Sequence, residues 1–335
     1  MNFINSADCL SLLIKSNKIV ITTHTNPDGD AIGSELGLFY FLKDLGKDVI
    51  IINDSLTPSN LEFLDANNQI KVFSYNDDIS FIMNADLIVI LDLNAPHRLK
   101  SMQETITRTK NTKLLIDHHI DPENFADFAF VDYDATSTGE LIWEVIKPKV
   151  TTSNPKLTNP LYTAIMTDTG SFRFQKTDGD IFRTAADLLD LGADPVNCYE
   201  QVYNQNSISA IQMLGEAISS MSLFFDNKVC IMTLTKEMFE TTGATIEDTD
   251  NFVEKTMSVK GVMMGILVSY LSNKSEVRVS IRSKENFIPA RQIALTFGGG
   301  GHHQAAGARL FDISIEDAKI MIINEINKQI SIFNY

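Results

Sequence analysis

Residues 18–46 read KIVITTHTNPDGDAIGSELGLFYFLKDLG. The consecutive apolar residues at 19–21 predict a strand that is covered on both faces. Residues 31–45 have the apolar spacing of a helix, and Gly46 follows at a position typical of a helix C-terminus. Pro27 and Gly29 lie in the turn between them. A strand, a tight turn and a helix in this order predict the start of a parallel βαβ sheet.

The same rhythm continues along the first half of the chain. Short apolar runs at 49–52, 87–93 and 113–116 predict further parallel strands. Helical patterns dominate residues 138–221, where only FRF near Phe172 indicates a strand. We therefore predict an α/β fold with a parallel-sheet amino-terminal domain that has helices on both faces.

The length of 335 residues favours two domains that share one cleft. We predict an amino-terminal domain over residues 1–200, a helical linker over 201–221 and a smaller α/β carboxyl-terminal domain over 222–335. The last of these should contain a hairpin that turns at residues 226–227, paired strands over 262–271 and 276–283, and a closing helix over 315–330.

Composition and charge limit the possible partners. The apolar fraction of 44% and the charged fraction of 21% are ordinary for a folded globular chain. The net charge of −15, without a basic stripe, argues against general binding to duplex DNA. A polyanionic substrate remains compatible with this charge, because bound divalent cations can reverse the local field within a pocket.

Three cysteines, Cys9, Cys198 and Cys230, are too few and too scattered for a disulfide framework. The amino terminus lacks the pattern of a signal peptide, and no apolar run approaches the ~20 residues of a membrane helix. We therefore expect a cytoplasmic protein that neither crosses nor binds a membrane.

Aspartates and histidines recur at the expected ends of the apolar segments in the amino-terminal domain. Taken alone, each has an ordinary interpretation as a turn former, a helix cap or a surface residue. Together they would crowd negative charge at one edge of the sheet, where α/β folds bind ligands. The residues concerned are His24, Asp28, Asp30, Asp92, Asp117, His118, His119 and Asp168.

One or two divalent cations would relieve this repulsion. Mixed aspartate and histidine ligands without cysteine suit Mn²⁺, Mg²⁺, Fe²⁺, Co²⁺ or Zn²⁺, and the predominance of oxygen favours Mn²⁺. Two such ions about 3.5–4 Å apart can hold the attacking and phosphoryl oxygens of an in-line displacement. The sequence therefore predicts phosphoryl transfer as the reaction class.

A second segment, GGGGHHQAAG at residues 298–307, predicts an anion site. Its glycines allow backbone N–H groups to approach a phosphate closely, although a flexible loop is the alternative. The segment lacks the P-loop pattern. Arg282, on a predicted strand, could hold a phosphate, and so could Arg98 and Arg173, but strand and surface arginines are often simply solvated.

Five ordered motifs together resemble those of the DHH phosphoesterase superfamily with its DHHA1 carboxyl-terminal domain. They are HTNPDGDAIGS at 24–34, Asp92, the DHH triplet at 117–119, TDTGSFRF at 167–174 and GGGGHHQAAGA at 298–308. Within this superfamily, the sequence is most similar to the nanoRNase-like branch, because no added nucleic-acid-binding or membrane domain is expected. That branch contains stand-alone oligoribonucleases and phosphoadenosine phosphate phosphatases.

The resemblance implies a role for each matching residue. His24, Asp28 and Asp92 would bind one cation, whereas Asp30, Asp92, His118 and Asp168 would bind the other, with Asp92 bridging. His119 would face the scissile phosphate and assist the leaving group. The residues that would grip the substrate are Arg282, Gly299, Gly300, Gly301 and His302, together with Arg98.

The expected activity is hydrolysis of short single-stranded RNA or DNA oligonucleotides to mononucleotides, with removal of phosphate from 3′,5′-bisphosphorylated adenosine as a possible second activity. The alternatives are a cyclic or linear dinucleotide phosphodiesterase, a pyrophosphatase or polyphosphatase, and a nucleotide-binding regulator without catalysis. A homodimer is a further expectation, since enzymes of this size commonly form one.

Overall fold

The computed structural model describes residues 1–271 and 276–333, and for Phe333 only the backbone. The chain forms two compact units, Met1–Gln205 and Asn206–Tyr335. Within the described residues, no helix has the combined length and apolar character that crossing a bilayer requires.

The first unit is built on a seven-stranded sheet in which all neighbouring strands are parallel. The strands are β1 (Asn2–Phe3), β2 (Lys18–Thr22), β3 (Asp48–Asn53), β4 (Ile70–Val72), β5 (Leu87–Leu91), β6 (Thr112–Asp117) and β7 (Phe128–Val131). Their order is β1-β7-β6-β5-β2-β3-β4. The four strands predicted from apolar runs are confirmed, whereas β1, β4 and β7 were missed because such short strands leave little pattern.

Eight α-helices accompany this sheet. They are α1 (Ser6–Lys15), α2 (Gly29–Asp44), α3 (Tyr75–Met83), α4 (Gln103–Arg108), α5 (Thr138–Ile146), α6 (Pro155–Asp168), α7 (Gly179–Asp190) and α8 (Pro195–Tyr203). Two buried clusters show that helices cover both faces, as predicted. One joins the sheet to α2, α5 and α6, and the other joins it to α3 and α4.

Helices α2 and α6 pack unusually closely because glycine recurs every fourth residue on one face of α2. A Cβ atom added at Gly33 would lie 2.3 Å from the Pro160 carbonyl oxygen, and one added at Gly37 would lie 2.5 Å from the Leu161 side chain. A Cβ atom added at Gly29, one turn earlier, would likewise clash with the Thr167 side chain. This contact fixes the end of α6 beside the start of α2.

The prediction of a strand at FRF was wrong. Ser171 and Phe172 have positive φ angles of 59° and 62°, and the Arg173 N–H donates to the Thr169 carbonyl oxygen at 2.9 Å. The segment is thus a tight turn after α6. Its alternating aromatic residues imitate a strand pattern, but the left-handed residues prevent an extended backbone.

The second unit contains a mixed six-stranded sheet of order β12-β13-β11-β10-β9-β8. The strands are β8 (Ser222–Phe224), β9 (Val229–Leu234), β10 (Met264–Leu271), β11 (Glu276–Ser283), β12 (Gly300–Gly301) and β13 (Ala305–Phe311). The helices are α9 (Ile208–Ser219), α10 (Lys236–Thr242), α11 (Phe252–Met257), α12 (Ala290–Thr296) and α13 (Ile315–Phe333). The predicted hairpin is present, with Asp226 and Asn227 in left-handed conformations between β8 and β9.

Helices cover both faces of this second sheet. Residues of α12 and α13 pack with β10 and β11 on one face, and residues of α9 and α11 pack with β9 on the other. We predicted a separate linker over residues 201–221, but Met213 and Ala217 of α9 are buried against the second sheet. Most of that segment is therefore part of the second unit.

Candidate metal centre

The first component of the site is His24, which follows β2 at the carboxyl edge of the sheet. Its imidazole is buried, and its Nδ1 lies 2.9 Å from the Thr25 carbonyl oxygen, so that Nδ1–H is the donor. The other ring nitrogen, Nε2, has no hydrogen-bond partner among the described residues and lies 3.4 Å from Asp92 Oδ2. Burial lowers the pKa of His24, which favours the neutral form that binds metals.

Asp28 and Asp30 lie at the start of α2. Asp28 is exposed and caps the helix by accepting from the N–H groups of Asp30 and Ala31 at 3.1 Å. Asp30 is only 1% exposed and accepts from the N–H groups at the start of α5, Thr138 at 2.7 Å and Gly139 at 2.8 Å. Burial raises the pKa of Asp30 well above its usual range, and the charge of the neighbouring carboxylates adds to this.

Asp92 follows β5 and occupies the centre of the site. Its φ angle of 59° is rare for a residue with a side chain, and its N–H donates to the Ile116 carbonyl oxygen of β6 at 3.1 Å. The carboxylate is 2% exposed. Oδ2 faces His24, and Oδ1 lies 3.6 Å from His118 Nε2, so each oxygen faces a different histidine. Burial raises the pKa of Asp92 well above its usual range, and the charge of Asp28 adds to it.

The DHH triplet lies at the end of β6, whose last residue is Asp117. His118 Nε2 lies 3.3 Å from Asp168 Oδ2 and 3.7 Å from Asp30 Oδ2. Burial lowers the pKa of His118 to about 4, with a further contribution from His119. His119 Nδ1 is 2.7 Å from Oδ1 of the fully buried Asp117, an arrangement that fixes the orientation of the His119 ring.

Asp168 reaches the site from a helix. It is the last residue of α6, which lies in the region where the sequence predicted helices. Its position beside α2 depends on the close glycine contact between these two helices. Burial raises the pKa of Asp168 to about 7, and the charge of Asp28 contributes.

The structure brings all six predicted metal ligands together. Ligand atoms of His24, Asp28 and Asp92 lie within 4.8 Å of one another, and so do those of Asp30, His118 and Asp168. A third such group contains Asp92, His118 and His119.

The donor set fits divalent cations. Atoms bound to one cation at about 2.1 Å and at right angles to each other lie roughly 3 Å apart. The histidine-to-carboxylate distances of 3.3–3.7 Å are slightly longer. The unpartnered, buried Nε2 of His24 also fits a metal ligand, because a buried nitrogen without a partner is otherwise costly.

Several residues that position the ligands were missed. Asn53, at the end of β3, accepts from the Thr23 N–H at 3.3 Å and donates to the buried Glu35 at 2.8 Å. The next residue, Asp54, accepts from the Thr25 hydroxyl and the Ser101 N–H, both at 2.9 Å. Polar residues directly after the apolar residues of a strand were the available signal in each case.

Thr138 and Lys176 were also missed. The Thr138 hydroxyl donates to Asp92 Oδ1 at 3.1 Å, so it orients the central carboxylate. Lys176 donates to the Tyr133 carbonyl oxygen at 2.5 Å. Its positive charge partly offsets the rise in the pKa of Asp168 and contributes to the lowering of the pKa of His118. Neither residue lies in a pattern that the sequence alone links to the metal ligands.

Arg98 lies beside this centre, in a 3₁₀ helix over Pro96–Met102, and its carbonyl oxygen accepts from the Thr25 N–H at 2.9 Å. Its charge lowers the pKa of His24, second to burial. Arg173, in the turn after α6, donates from Nε to the Gly170 carbonyl oxygen at 2.6 Å.

The predicted substrate residues of the second half lie in the second unit. Arg282 is on β11, as predicted, and its Nε donates to Glu254 at 2.6 Å. Gly300 and Gly301 form β12, and the His302 N–H donates to the Ala305 carbonyl oxygen at 2.8 Å. A Cβ atom at Gly299 would lie 2.1 Å from the Gly307 carbonyl oxygen, so this glycine is also required for packing against β13.

Comparison with known proteins gives a consistent result. A family profile described as "DHH family, N-terminal domain" matches residues 18–168. A protein of Thermus thermophilus named bifunctional oligoribonuclease and PAP phosphatase NrnA is 31% identical, over 95% of this chain and 91% of the relative. A Bacillus subtilis protein of the same name is 24% identical, over 88% and 89%. The crystal structure of an exopolyphosphatase-related protein from Bacteroides fragilis has a TM-score of 0.89 and 30% identity, over 97% and 96%.

Proposed function

This chain belongs to the DHH family of phosphoesterases, and on that premise we propose that it hydrolyses short oligonucleotides to mononucleotides with the aid of two divalent cations. Removal of phosphate from 3′,5′-bisphosphorylated adenosine is the second activity of this proposal. It is supported by the similarity over 95% of the chain to a protein named for both activities.

The observation that carries the proposal is the arrangement around Asp92. Its two oxygens face different histidines, His24 and His118, and each histidine has further carboxylates beside it. One carboxylate can therefore belong to two ligand sets. We assign His24, Asp28 and Asp92 to one cation, and Asp30, Asp92, His118 and Asp168 to the other.

When bound, the two cations supply charge neutralisation at the phosphoryl group and make water nucleophilic at neutral pH. The chain itself orients the remaining groups. Asp117 accepts from His119 Nδ1–H, so that Nε2 is directed away from Asp117. With Nε2 also protonated, His119 can donate that proton to the leaving oxygen of the substrate. Arg98, beside His24, adds positive charge for the phosphate.

For the cations we propose Mn²⁺. Four carboxylates and two histidines form a donor set in which oxygen predominates but nitrogen is present, and this mixture suits Mn²⁺ better than Mg²⁺ or Ca²⁺. Mg²⁺, Co²⁺ and Fe²⁺ are the alternatives that a metal series should include.

In the second unit, we assign Arg282, the glycines at 299–301 and His302 to the anionic substrate. Arg282 uses Nε for Glu254 and Nη1 for the Ile281 carbonyl oxygen, which leaves Nη2 available for a phosphate oxygen. A cytoplasmic location and a homodimer complete the proposal. The three free, buried cysteines are compatible with a reducing compartment.

The test is release of mononucleotide from RNA oligomers of increasing length in the presence of Mn²⁺, beside 3′,5′-bisphosphorylated adenosine and pyrophosphate. We expect rapid hydrolysis of the shortest oligomers and its loss on addition of a chelator. Hydrolysis of pyrophosphate alone would retain the metal centre and refute the substrate. Oligonucleotide binding without turnover under any metal would instead favour a regulator.

A further inference from the structure

Three arginines, Arg278, Arg282 and Arg309, lie on one face of the second sheet. Along β11, Val277, Val279 and Ile281 are buried in the apolar core. The alternating residues Arg278, Ser280 and Arg282 therefore point to the opposite face. The two arginines are four residues apart, which corresponds to about 13 Å along the strand.

Both arginines line a single cavity of about 180 Å³. Its other lining residues are Thr249, Asp250, Asn251, Val253, Leu267, Ser269 and Ser280. Hydroxyl, amide and guanidinium groups thus predominate, and none of the lining residues that the structure describes is aromatic. This chemistry suits phosphate and sugar oxygens better than a stacked base.

A third arginine lies next to this cavity. In the antiparallel pairing of β11 with β13, Arg278 is directly opposite Arg309. Like charges in such a cross-strand pair destabilise a sheet. Arg309 is exposed, and within residues 1–271 and 276–333 no carboxylate forms an ion pair with it. An external anion between the two side chains would remove the repulsion.

The existing carboxylate partner of Arg278 is weakly held. Arg278 Nη1 lies 3.7 Å from Asp250 Oδ1, and both side chains are more than 40% exposed. Such exposed pairs contribute roughly 0–1 kcal/mol. A phosphodiester offers two oxygens to a guanidinium fork and can therefore replace Asp250.

We propose that Arg278 and Arg309 form a second anion-binding point for the phosphodiester backbone of a single-stranded oligonucleotide. The proposal rests on the function proposed above. It extends that function, because a ligand whose only phosphate is bound at Arg282 does not reach Arg278 and Arg309. Longer oligomers therefore gain affinity here, independently of base sequence, whereas a dinucleotide does not. Asp250 competes with the backbone for Arg278.

The experiment measures binding of fluorescently labelled oligoadenylates of two and six nucleotides by anisotropy, with a chelator present so that no hydrolysis occurs. The variants are Arg278→Ala, Arg309→Ala and Asp250→Asn. Arg108→Ala is the control, since it removes an equally charged, ion-paired surface arginine from the first unit. Thermal unfolding of each variant checks that its fold is retained.

For the six-nucleotide ligand, we expect Arg278→Ala and Arg309→Ala each to raise Kd roughly 5- to 20-fold, as for loss of a charge-assisted contact. The slope of log K against log salt should fall by about 0.7 for each arginine removed. Asp250→Asn should lower Kd about two- to fourfold, a gain that a folding defect does not produce. The two-nucleotide ligand should bind all variants equally.

The proposal is overturned if the arginine variants affect both ligands equally, if they match Arg108→Ala, or if Asp250→Asn weakens binding. Hydrolysis by the wild-type protein is assayed separately with Mn²⁺. Failure of hydrolysis with length-dependent binding intact would refute the proposed function alone. Normal hydrolysis with unaltered binding by the arginine variants would refute the second anion-binding point alone.

Discussion

At the scale of single residues, Asp92 illustrates how the site retains features that cost stability. Its backbone has a positive φ angle, and its carboxylate is buried beside other carboxylates. Such strain and charge persist where the surrounding structure enforces them, commonly at functional sites. The hydrogen bond from its N–H to Ile116 and the hydroxyl of Thr138 hold it in place.

Replacing Asp92 with asparagine should separate stability from function. Because the change removes a buried negative charge at nearly constant volume, we expect the metal-free protein to be more stable by about 1–3 kcal/mol. The same variant should lose most turnover and most of the stabilisation that Mn²⁺ gives the wild type. Thermal unfolding with and without Mn²⁺, together with the hydrolysis assay, measures both effects. Wild-type turnover by Asp92→Asn would refute the shared ligand.

Asp117 should act through His119 as a positioning residue. In Asp117→Asn the His119 ring loses its carboxylate partner, so we expect kcat to fall about 10- to 100-fold with little change in KM. Stabilisation by Mn²⁺ should be largely retained. Asp190→Asn, which removes an exposed carboxylate of the same unit, is the control. An unchanged kcat in Asp117→Asn would exclude this role.

At the scale of secondary-structure elements, the contact between α2 and α6 connects the fold to the site. Asp28 and Asp30 lie at the start of α2, and Asp168 lies at the end of α6. The glycines of α2 allow the two helices to approach closely enough for Asp30 and Asp168 to meet around His118. Changes far from the metal ligands can therefore alter the site.

Gly33→Ala tests this connection. The added Cβ would lie 2.3 Å from the Pro160 carbonyl oxygen, so the helices must separate, and we expect a destabilisation of at least about 2 kcal/mol with weaker Mn²⁺ binding. The matched control is Gly215→Ala in α9, where no atom of the described residues outside the adjacent helix backbone lies within 4 Å of the new Cβ. That control should gain about 0.5–1 kcal/mol from helix propensity. Denaturant unfolding and Mn²⁺ titration distinguish the two results.

At the scale of the whole molecule, the two units differ in charge as well as in fold. The excess of acidic over basic residues lies almost entirely in the first unit, Met1–Gln205, which also contains every proposed metal ligand. The second unit has its own apolar clusters and carries the arginine face. This distribution predicts separable roles in binding cations and binding anionic ligands.

Fragments 1–205 and 206–335 provide the corresponding test. We expect the first to unfold at a higher temperature when Mn²⁺ is added, because the cation binds only the folded carboxylate cluster. The second should bind the six-nucleotide oligoadenylate without metal and show no Mn²⁺-dependent stabilisation. Neither fragment alone should hydrolyse the oligomer efficiently. Equal Mn²⁺ stabilisation of both fragments would contradict this division.

The sequence by itself was sufficient for the features that depend on local pattern. Apolar runs identified the central strands of the first sheet. Since parallel strands bring their carboxyl ends to one edge, they also predicted that His24, Asp92 and the DHH triplet would meet. Arg282 was likewise expected on its strand, because alternation along β11 is regular.

Other features were decided only by tertiary structure, because they depend on contacts between distant segments. The approach of α6 to the glycine face of α2 brings Asp168 to the site from the end of a helix. The left-handed backbone of Asp92 directs its two oxygens to different histidines. Strand register sets Arg278 opposite Arg309, and no local pattern contains that pairing.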